Sequence, residues 1–347
     1  MHKKNKILIA KKNDADEIME FIRNEWKKDH ILAINKEYLL YEYQNKKSLN
    51  FLIFKNSYNK IAAILGFLKS SSNKNASVWT TMWKVSKSNG FPVLGIDMLN
   101  YLRRKKFKSV MSIGINPNVE VIFKYLKFNI GLLSHYYIIN KSLKKYKIAI
   151  VPKSTLIEKS AFTNDKKLVF KKIDVIDIAK KFDFKKHGKR LPFKNFYYFK
   201  KRFFEHPIYS YDVYGVFDKS CLLSILVTRI QHHKKSTCLR IVDFYGKEST
   251  LSTFIFNLVK VMKNKSHEYI DLLSMGLDEK IIFKAGFSKL NFEQNELVIP
   301  NYFDPFIQSN IKIRYFSDTK DLKNLRIYKG DGDQDRPSSS SVRKNHD

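Results

Sequence analysis

The chain has 347 residues, 44% of them apolar and 14% aromatic, which is enough to bury the cores of two ordinary domains. This composition excludes a disordered protein, and no apolar run approaches the ~20 residues that a membrane span needs. The basic N-terminus contains an apolar run of only residues 7–10, which is too short for a secretory signal. We therefore expect a cytoplasmic protein.

The formal charge of +32, from 65 lysines and arginines against 33 acidic residues, favours a polyanionic partner. The basic residues are mostly lysines spread along the whole chain, and the sequence carries no nucleic-acid-binding motif. Nucleic acid is therefore a possible partner, but a small substrate that carries phosphate fits the charge equally well. Cys221 and Cys238 form neither a disulfide framework nor a zinc motif, and we expect no metal.

Residues 77–102 form the unit around which the first half of the chain is organised. Residues 77–85 predict a strand, Asn89-Gly90 a turn, and the apolar spacing from Gly95 onward a helix. A helix that follows such a turn presents free backbone N–H groups, which suit an anion such as a pyrophosphate. The alternative is an ordinary connection between a strand and a helix.

Both halves of the chain predict the same order of elements. The first half gives strands, a polar turn, a helix, a strand, a short helix and an aromatic strand, and the second half repeats this order without repeating the residues. We therefore predict an α/β (α+β) protein of two domains, each a mixed, mostly antiparallel sheet flanked by helices. The predicted limits are 1–150 and 151–317, followed by a C-terminal tail at 318–347.

Four fragments, two in each half of the chain, carry a resemblance to a known family. SNGFPVLGIDMLNYL and NPNVEVIFKYLKF in the first half, and DFYGKESTLSTFIFNLVKVM with SMGLDEKIIFKAGF in the second, resemble pieces of the GNAT acyltransferase fold, here in tandem. The resemblance implies two GNAT-like domains and a donor that is acetyl-CoA or another acyl-CoA, held by the first half. The residues that it places at the donor are Ser88, Asn89, Gly90, Val93, Leu94, Gly95 and Asn116.

The sequence departs from the family pattern at the donor loop and at the usual proton donor. Gly90 stands where Arg or Gln is expected, and Val93 stands where the first glycine is expected. Phe123 in the first half and Ile282 in the second stand where a tyrosine often protonates the leaving thiolate. Direct attack of an amine on a thioester mainly needs orientation and oxyanion stabilisation, so positioning alone could suffice. The other candidates for this proton are Tyr125, His135 or a water.

The second half also looks like a poorly described group of bacterial surface-polysaccharide enzymes, through RFFEHPIYSYDVYGV, IPNYFDPF and IYKGDGDQDRPS. This resemblance implies an amino sugar or a nucleotide-linked amino sugar as the acceptor, and an N-acyl sugar as the product. It would place the protein in the biosynthesis of lipopolysaccharide or another surface polysaccharide.

Polar residues at strand and helix ends are candidates for acceptor contacts, because open α/β sites collect residues there. His206, with Arg202 beside it, lies at a helix end, and Asp243 and Tyr245 lie at a strand end. His206 and Asp243 could orient an acceptor amine or take its proton. The alternative for each is capping or an ion pair.

The first half offers its own candidates for the substrate. Asp29 and His30 could act on an acceptor in the same way as the pair in the second half. Trp79 and Trp83 are four residues apart, so in a strand of period two they would share a face. They would then stack on a sugar or adenine, or they would pack in the core.

Asp331, Asp333 and Asp335 begin like a calcium loop, but Arg336 and Val342 occupy the positions where that loop needs Gly and Glu. Two interpretations remain for this stretch. It folds back over an active site with Arg336 on a substrate phosphate, or it is a solvated tail.

The first expectation is an N-acyltransferase, and two other functions fit the sequence. An aminoacyl-tRNA-dependent transferase of the peptidoglycan cross-bridge type would also have tandem GNAT folds, and its binding would weaken steeply with salt. A non-catalytic carbohydrate- or nucleic-acid-binding protein with a decayed donor site would explain the missing tyrosine and glycine. That protein would bind no acyl-CoA.

Overall fold

A computed structural model describes residues 6–87, 93–157, 162, 164–294 and 296–339. The α-helices α1 to α10 are Ala15–Glu25, Ile31–Ile34, Lys36–Tyr43, Leu94–Arg103, Glu120–Tyr125, Lys153–Ile157, Val175–Lys181, Phe196–Phe199, Leu251–Asn264 and Glu279–Lys284. A π-helical turn, Lys200–Phe204, continues α8. None of the described helices is long and apolar enough to cross a membrane.

The strands β1 to β18 are Ile7–Lys11, Gln44–Asn45, Ser48–Lys55, Ile61–Lys69, Val78–Val85, Val110–Ile113, Asn129–Leu132, Ser134–Ile139, Val169–Lys172, Asp212–Asp218, Cys221–His233, Ser236–Gly246, Tyr269–Met275, Ser288–Lys289, Tyr302–Phe303, Phe306–Ile307, Arg314–Ser317 and Ile327–Tyr328. Short 3-10 turns lie at Lys12–Asp14, Pro117–Val119, Phe184–His187, Glu248–Thr250 and Leu322–Asn324.

Two mixed sheets of eight strands each form the two halves. The first has the order β1-β3-β4-β5-β6-β17-β7 with β2 on β3, and the second has the order β14-β8-β13-β12-β11-β10-β9 with β18 on β13. Most neighbours are antiparallel, but β5 and β6 are parallel in the first sheet, as β12 and β13 are in the second. Helices pack on both sheets, so the predicted fold class is confirmed.

Each half supplies one strand to the sheet of the other half. β8 lies between β13 and β14 in the second sheet, and β17 lies between β6 and β7 in the first. The aromatic strand predicted at the end of the first half is therefore present, as β8, but it belongs to the second sheet. A strand's residue pattern determines which face is buried and does not determine its partner. The domain limits 1–150 and 151–317 stay a prediction, made from the order of elements along the chain.

The apolar core beneath α1 and α3 is shared by the two halves. Amphipathic spacing on α1 turns Ile18 and Ile22 toward the first sheet, where both are fully buried. The same cluster of buried residues includes Leu191, Leu273 and Leu325 of the second half. The C-terminal segment after Leu325 therefore starts from a position between the two sheets.

Candidate functional site

A gap, called here the first gap, opens in the first sheet where the parallel strands β5 and β6 diverge. Their register ends at Thr80 opposite Ser112. Beyond that pair β5 contains one extra residue, because Leu65 of β4 faces Trp83 while Phe67 faces Thr80. Such a bulge leaves one residue outside the ladder and turns the following side chains to the other face. Backbone groups of β5 thus border the first gap at the bulge.

A cavity of about 610 Å³ occupies the first gap. Strand, loop and C-terminal residues contribute to it, so it draws on both halves of the chain. The walls include residues 80–83, residues 112–116, Asp29, His30, Asp304, Asp333, Gln334 and Arg336. Of the residues predicted from the sequence, the structure therefore brings Asp29, His30, Trp83, Asn116 and Arg336 together.

Helix α4 begins beside this cavity, as the prediction of a strand, turn and helix requires. Val93 precedes the helix and is 56% exposed, whereas Leu94 is buried. Gly95 lies against Trp83, since a Cβ on Gly95 would stand 3.2 Å from the indole ring. Three residues predicted at the donor, Ser88, Asn89 and Gly90, lie outside the described residues.

Asp333 and Arg336 form one wall of the first gap. Nη1 of Arg336 lies 3.1 Å from Oδ2 of Asp333, and Nε of Arg336 donates at 2.9 Å to Oε2 of Glu42. Burial raises the pKa of the Asp333 carboxyl above its ordinary value, and Glu42 adds to this, although Arg336 opposes it. A carboxylate with a raised pKa in a cavity is a candidate general base.

His30 faces the same cavity with one ring nitrogen already used. Its Nδ1 accepts the N–H of Leu32 at 3.2 Å at the start of α2, which places the ring proton on Nε2. Burial, followed by the charges of Arg336 and Lys27, lowers the pKa of His30 to about 3. The ring is therefore neutral at pH 7 and can donate from Nε2. Asp29, beside it, is exposed and lies 3.6 Å from Nζ of Lys27.

Trp79 and Trp83 lie on opposite faces of the first sheet, so the prediction that they share a face is wrong. The bulge between them adds one residue and reverses the alternation. Trp79 is 1% exposed and packs in the core beneath α1. Trp83 lines the first gap and lies 5.9 Å, between ring centroids, from Phe123.

Five further predicted site residues lie away from this cavity. Tyr125 is 81% exposed on α5. Nδ1 of His206 accepts the N–H groups of Ile208 and Tyr209, which is a local cap. Asp243 and Tyr245 are buried in the second half. Arg202, the fifth, lies behind the C-terminal segment and donates to the carbonyl of Gly332 at 2.8 Å.

The second sheet has an equivalent gap, called here the second gap, and the chain itself fills it. The parallel register ends at Ile241 opposite Leu272, and β12 has its bulge at Val242. The N–H of Gly330 donates to the carbonyl of Val242 at 2.8 Å, and β18 pairs with β13. In the second gap, the C-terminal segment thus forms hydrogen bonds with the backbone groups of β12 and β13. The equivalent backbone groups of β5 and β6 border the open cavity in the first gap.

Two cations complete the filling of the second gap. Nη2 and Nη1 of Arg190 donate to the carbonyls of Phe244 and Gly246 at 3.2 and 3.3 Å. Nζ of Lys194 lies 2.7 Å from Oδ2 of Asp243 and 2.9 Å from Oδ1 of Asp331. Asp243 therefore belongs to a buried ion cluster, which is the ion-pair interpretation left open by the sequence.

Each aspartate of the acidic stretch has a cationic partner inside the protein. Asp331 pairs with Lys194, Asp333 with Arg336, and Asp335 with Arg229. Asp331 and Asp335 are 0% and 3% exposed, so the interpretation as a solvated tail is wrong for this stretch. The part of the chain that the structure describes holds no cluster of side chains able to bind a metal.

No protein-family model matches the sequence, and no curated protein matches it. A GCN5-related N-acetyltransferase from Anabaena variabilis ATCC 29413 superposes with a TM-score of 0.55 at 8% identity, over 90% of this chain and 72% of that chain. A probable N-acyltransferase from Enterococcus faecalis V583 gives 0.54 at 8% identity, over 93% and 74%. The chain therefore has the fold of the GCN5-related N-acetyltransferases, the GNAT fold, across both halves.

Proposed function

We propose that the protein is an N-acyltransferase that takes its acyl group from an acyl-CoA bound in the first gap. The main support for this proposal is the contrast between the two gaps. The first is an open cavity, whereas the second is filled by the chain's own C-terminal segment. An extended donor with an anionic end suits a cavity beside the start of the ten-residue helix α4. An acyl-CoA donor would place the reaction in the cytoplasm.

The chemistry follows from the groups around the first gap. The amine nitrogen of the acceptor attacks the thioester carbonyl carbon, the C–S bond breaks, and the thiolate leaves. Backbone N–H groups at the bulge of β5 would stabilise the oxyanion that forms. Asp333 takes the proton that the amine loses, and the thiolate gains a proton from solvent. His30 orients the acceptor through Nε2–H.

The acceptor in this proposal is an amino sugar, free or linked to a nucleotide, of surface-polysaccharide biosynthesis. Asp29, Asp304 and Asp333 place carboxylates around the first gap, which suits an amine. The net charge of +32 suits an acceptor that also carries phosphate.

Calorimetric titration with acetyl-CoA tests the donor site. We expect one molecule bound per chain with a dissociation constant on the order of 1–100 μM. Gly95→Phe should abolish binding because the ring has no room beside Trp83. Ser252→Phe is the matched control, because Ser252 is the second residue of α9 as Gly95 is of α4.

Three results would contradict this assignment: two molecules bound per chain, binding lost in Ser252→Phe, or binding kept in Gly95→Phe. If the wild-type protein binds no acetyl-CoA at low or physiological salt, the acyl-CoA donor is wrong. An aminoacyl-tRNA donor would then be tested by tRNA binding, which falls steeply with salt.

A further inference from the structure

A second cavity, called here the inter-half cavity, has a volume of about 380 Å³ and lies between the first sheet and the helical segment formed by α8 and its π-helical turn. Two contacts hold its walls together across the halves. The hydroxyl of Tyr41 donates to the carbonyl of Lys201, and Nδ2 of Asn195 donates to Oγ of Ser72 at 2.8 Å. The cavity is thus a feature of the joined halves.

The walls of the inter-half cavity are strongly cationic. Lys46, Lys69, Lys201 and Arg202 line it, and among the described lining residues Glu42 is the one acid. Glu42 is already engaged, because it accepts from Arg336 and lies 3.7 Å from Nη1 of Arg202. Burial lowers the pKa values of Lys69 and Lys201. A bound anion would offset the loss of hydration that these ammonium groups undergo.

Two buried N–H donors at this cavity have no partner within the described ranges of the chain. The indole N–H of Trp79, in a side chain that is 1% exposed, donates to no acceptor, and neither does Nε–H of Arg202. Buried donors are nearly always hydrogen-bonded in folded proteins. Together with the lysines, Trp79 and Arg202 give the inter-half cavity an excess of hydrogen-bond donors over acceptors.

Aromatic side chains also line the inter-half cavity. Tyr41 and Tyr197 line it together with Trp79, and Tyr197 is 49% exposed. Aromatic faces stack on planar rings and amide-bearing heterocycles. The cationic residues suit the anionic oxygens of a phosphate, and the aromatic residues suit a planar ring. A ligand with both parts is an organic phosphate such as a nucleotide.

We propose that the inter-half cavity binds an organic phosphate, with its phosphate oxygens on Lys46, Lys201 and Arg202 and its ring against Tyr41 and Tyr197. The ion pair between Glu42 and Arg336 separates this site from the first gap, because Glu42 lines one cavity and Arg336 the other. The ligand is therefore bound apart from the reacting groups, and, resting on the proposed function, it belongs to the same chemical class as the acceptor, a molecule that carries a nucleotide.

The test is calorimetric titration with uridine diphosphate and, separately, with inorganic pyrophosphate at physiological salt. We expect uridine diphosphate to bind the wild-type protein more tightly than pyrophosphate does. Lys201→Ala should weaken uridine diphosphate binding about tenfold or more, because one charged hydrogen-bond donor is lost. Lys200→Ala is the control, since Lys200 pairs with Glu205 away from the cavity, and its affinity should equal that of the wild type.

Gly95→Phe separates this proposal from the donor site. Uridine diphosphate binding should survive in that variant, and its loss there, with binding kept in Lys201→Ala, would put the ligand in the first gap and overturn the proposal. Absence of binding to the wild type, or equal weakening by Lys200→Ala, would also overturn it. Equal affinity for pyrophosphate would overturn the assignment to an organic phosphate. If uridine diphosphate binds as expected while acetyl-CoA does not, the inter-half site stands and the proposed donor fails.

Discussion

Arg336 and Glu42 are 294 positions apart in the chain, yet Nε of Arg336 donates a hydrogen bond of 2.9 Å to Oε2 of Glu42. Their side chains are only 6% and 4% exposed. The pair joins the C-terminal segment to α3 of the first half and forms the wall between the two cavities. Both proposals therefore depend on how firmly this contact holds.

Removing Glu42 should destabilise the protein strongly. In Glu42→Ala the guanidinium of Arg336 stays buried without this carboxylate, and breaking such a pair lowers the free energy of unfolding by about 3–5 kcal/mol. Denaturant unfolding would measure the change. Asp16→Ala is the control, because its partner Lys36 and Asp16 itself are well exposed and their pair contributes little. Equal stability of the two variants would contradict a structural role for the buried pair.

Gly330→Ala should loosen the C-terminal segment from the second gap. A Cβ at this position would lie 2.5 Å from the carbonyl oxygen of Val242, so the segment has to shift. Overpacking of this kind lowers the free energy of unfolding by about 1–3 kcal/mol. In Gly188→Ala the added Cβ would meet the carbonyl of Lys185 at 3.2 Å in a turn, and the loss should be smaller. Wild-type stability in Gly330→Ala would show that the second gap has room to spare.

The pH dependence of catalysis should report Asp333. Because burial raises the pKa of this carboxyl, its basic form is lost as the pH falls through that raised value, and kcat/KM should fall with it. Asp333→Asn should lower kcat by about 10²–10⁴ and remove this acid limb. Asp321→Asn, at a surface turn just before the C-terminal segment, should keep both. An unchanged acid limb in Asp333→Asn would assign the base elsewhere.

The stability of the protein in acid should depend on Asp335, whose pKa is lowered, whereas that of Asp333 is raised. Burial alone would raise the pKa of Asp335, but Arg229 and a hydrogen bond from Tyr211 hold it below the ordinary value. A lowered carboxyl pKa adds stability that is present above the ordinary value of about 3.9 and is lost as the pH falls through the lowered one. Asp335→Asn should be less stable at pH 6, with a shallower fall in stability toward acid. Parallel stability curves for both proteins would contradict this pairing.

The fold class follows from the sequence because period-two strands and amphipathic helices are local patterns. The sequence also indicates the strand, turn and helix around Gly95, since turn residues mark that connection. The exchange of β8 and β17 could not be predicted, because it depends on pairing between residues far apart in the chain. The bulge that separates Trp79 from Trp83 likewise has no local signal.

The candidate site was predicted in part. His30, Trp83 and Asn116 are far apart in sequence and line one cavity. The resemblance to the GNAT fold predicts Asn116 there, whereas His30 and Trp83 are predicted from their residue types. The sequence marks Asp333 only as part of an incomplete calcium pattern and gives no signal for Lys194. Both acquire their roles from the path of the C-terminal segment between the sheets, which no local pattern specifies.

The exchange of β8 and β17 affects how the protein folds during its synthesis on the ribosome. The first sheet can close between β6 and β7 only after β17 has been synthesised, so the N-terminal half waits with an unpaired strand edge while almost the whole chain emerges. The two halves therefore cannot mature one after the other. Each half expressed alone would lack the strand that the other half supplies, and its own sheet would keep an unpaired strand edge.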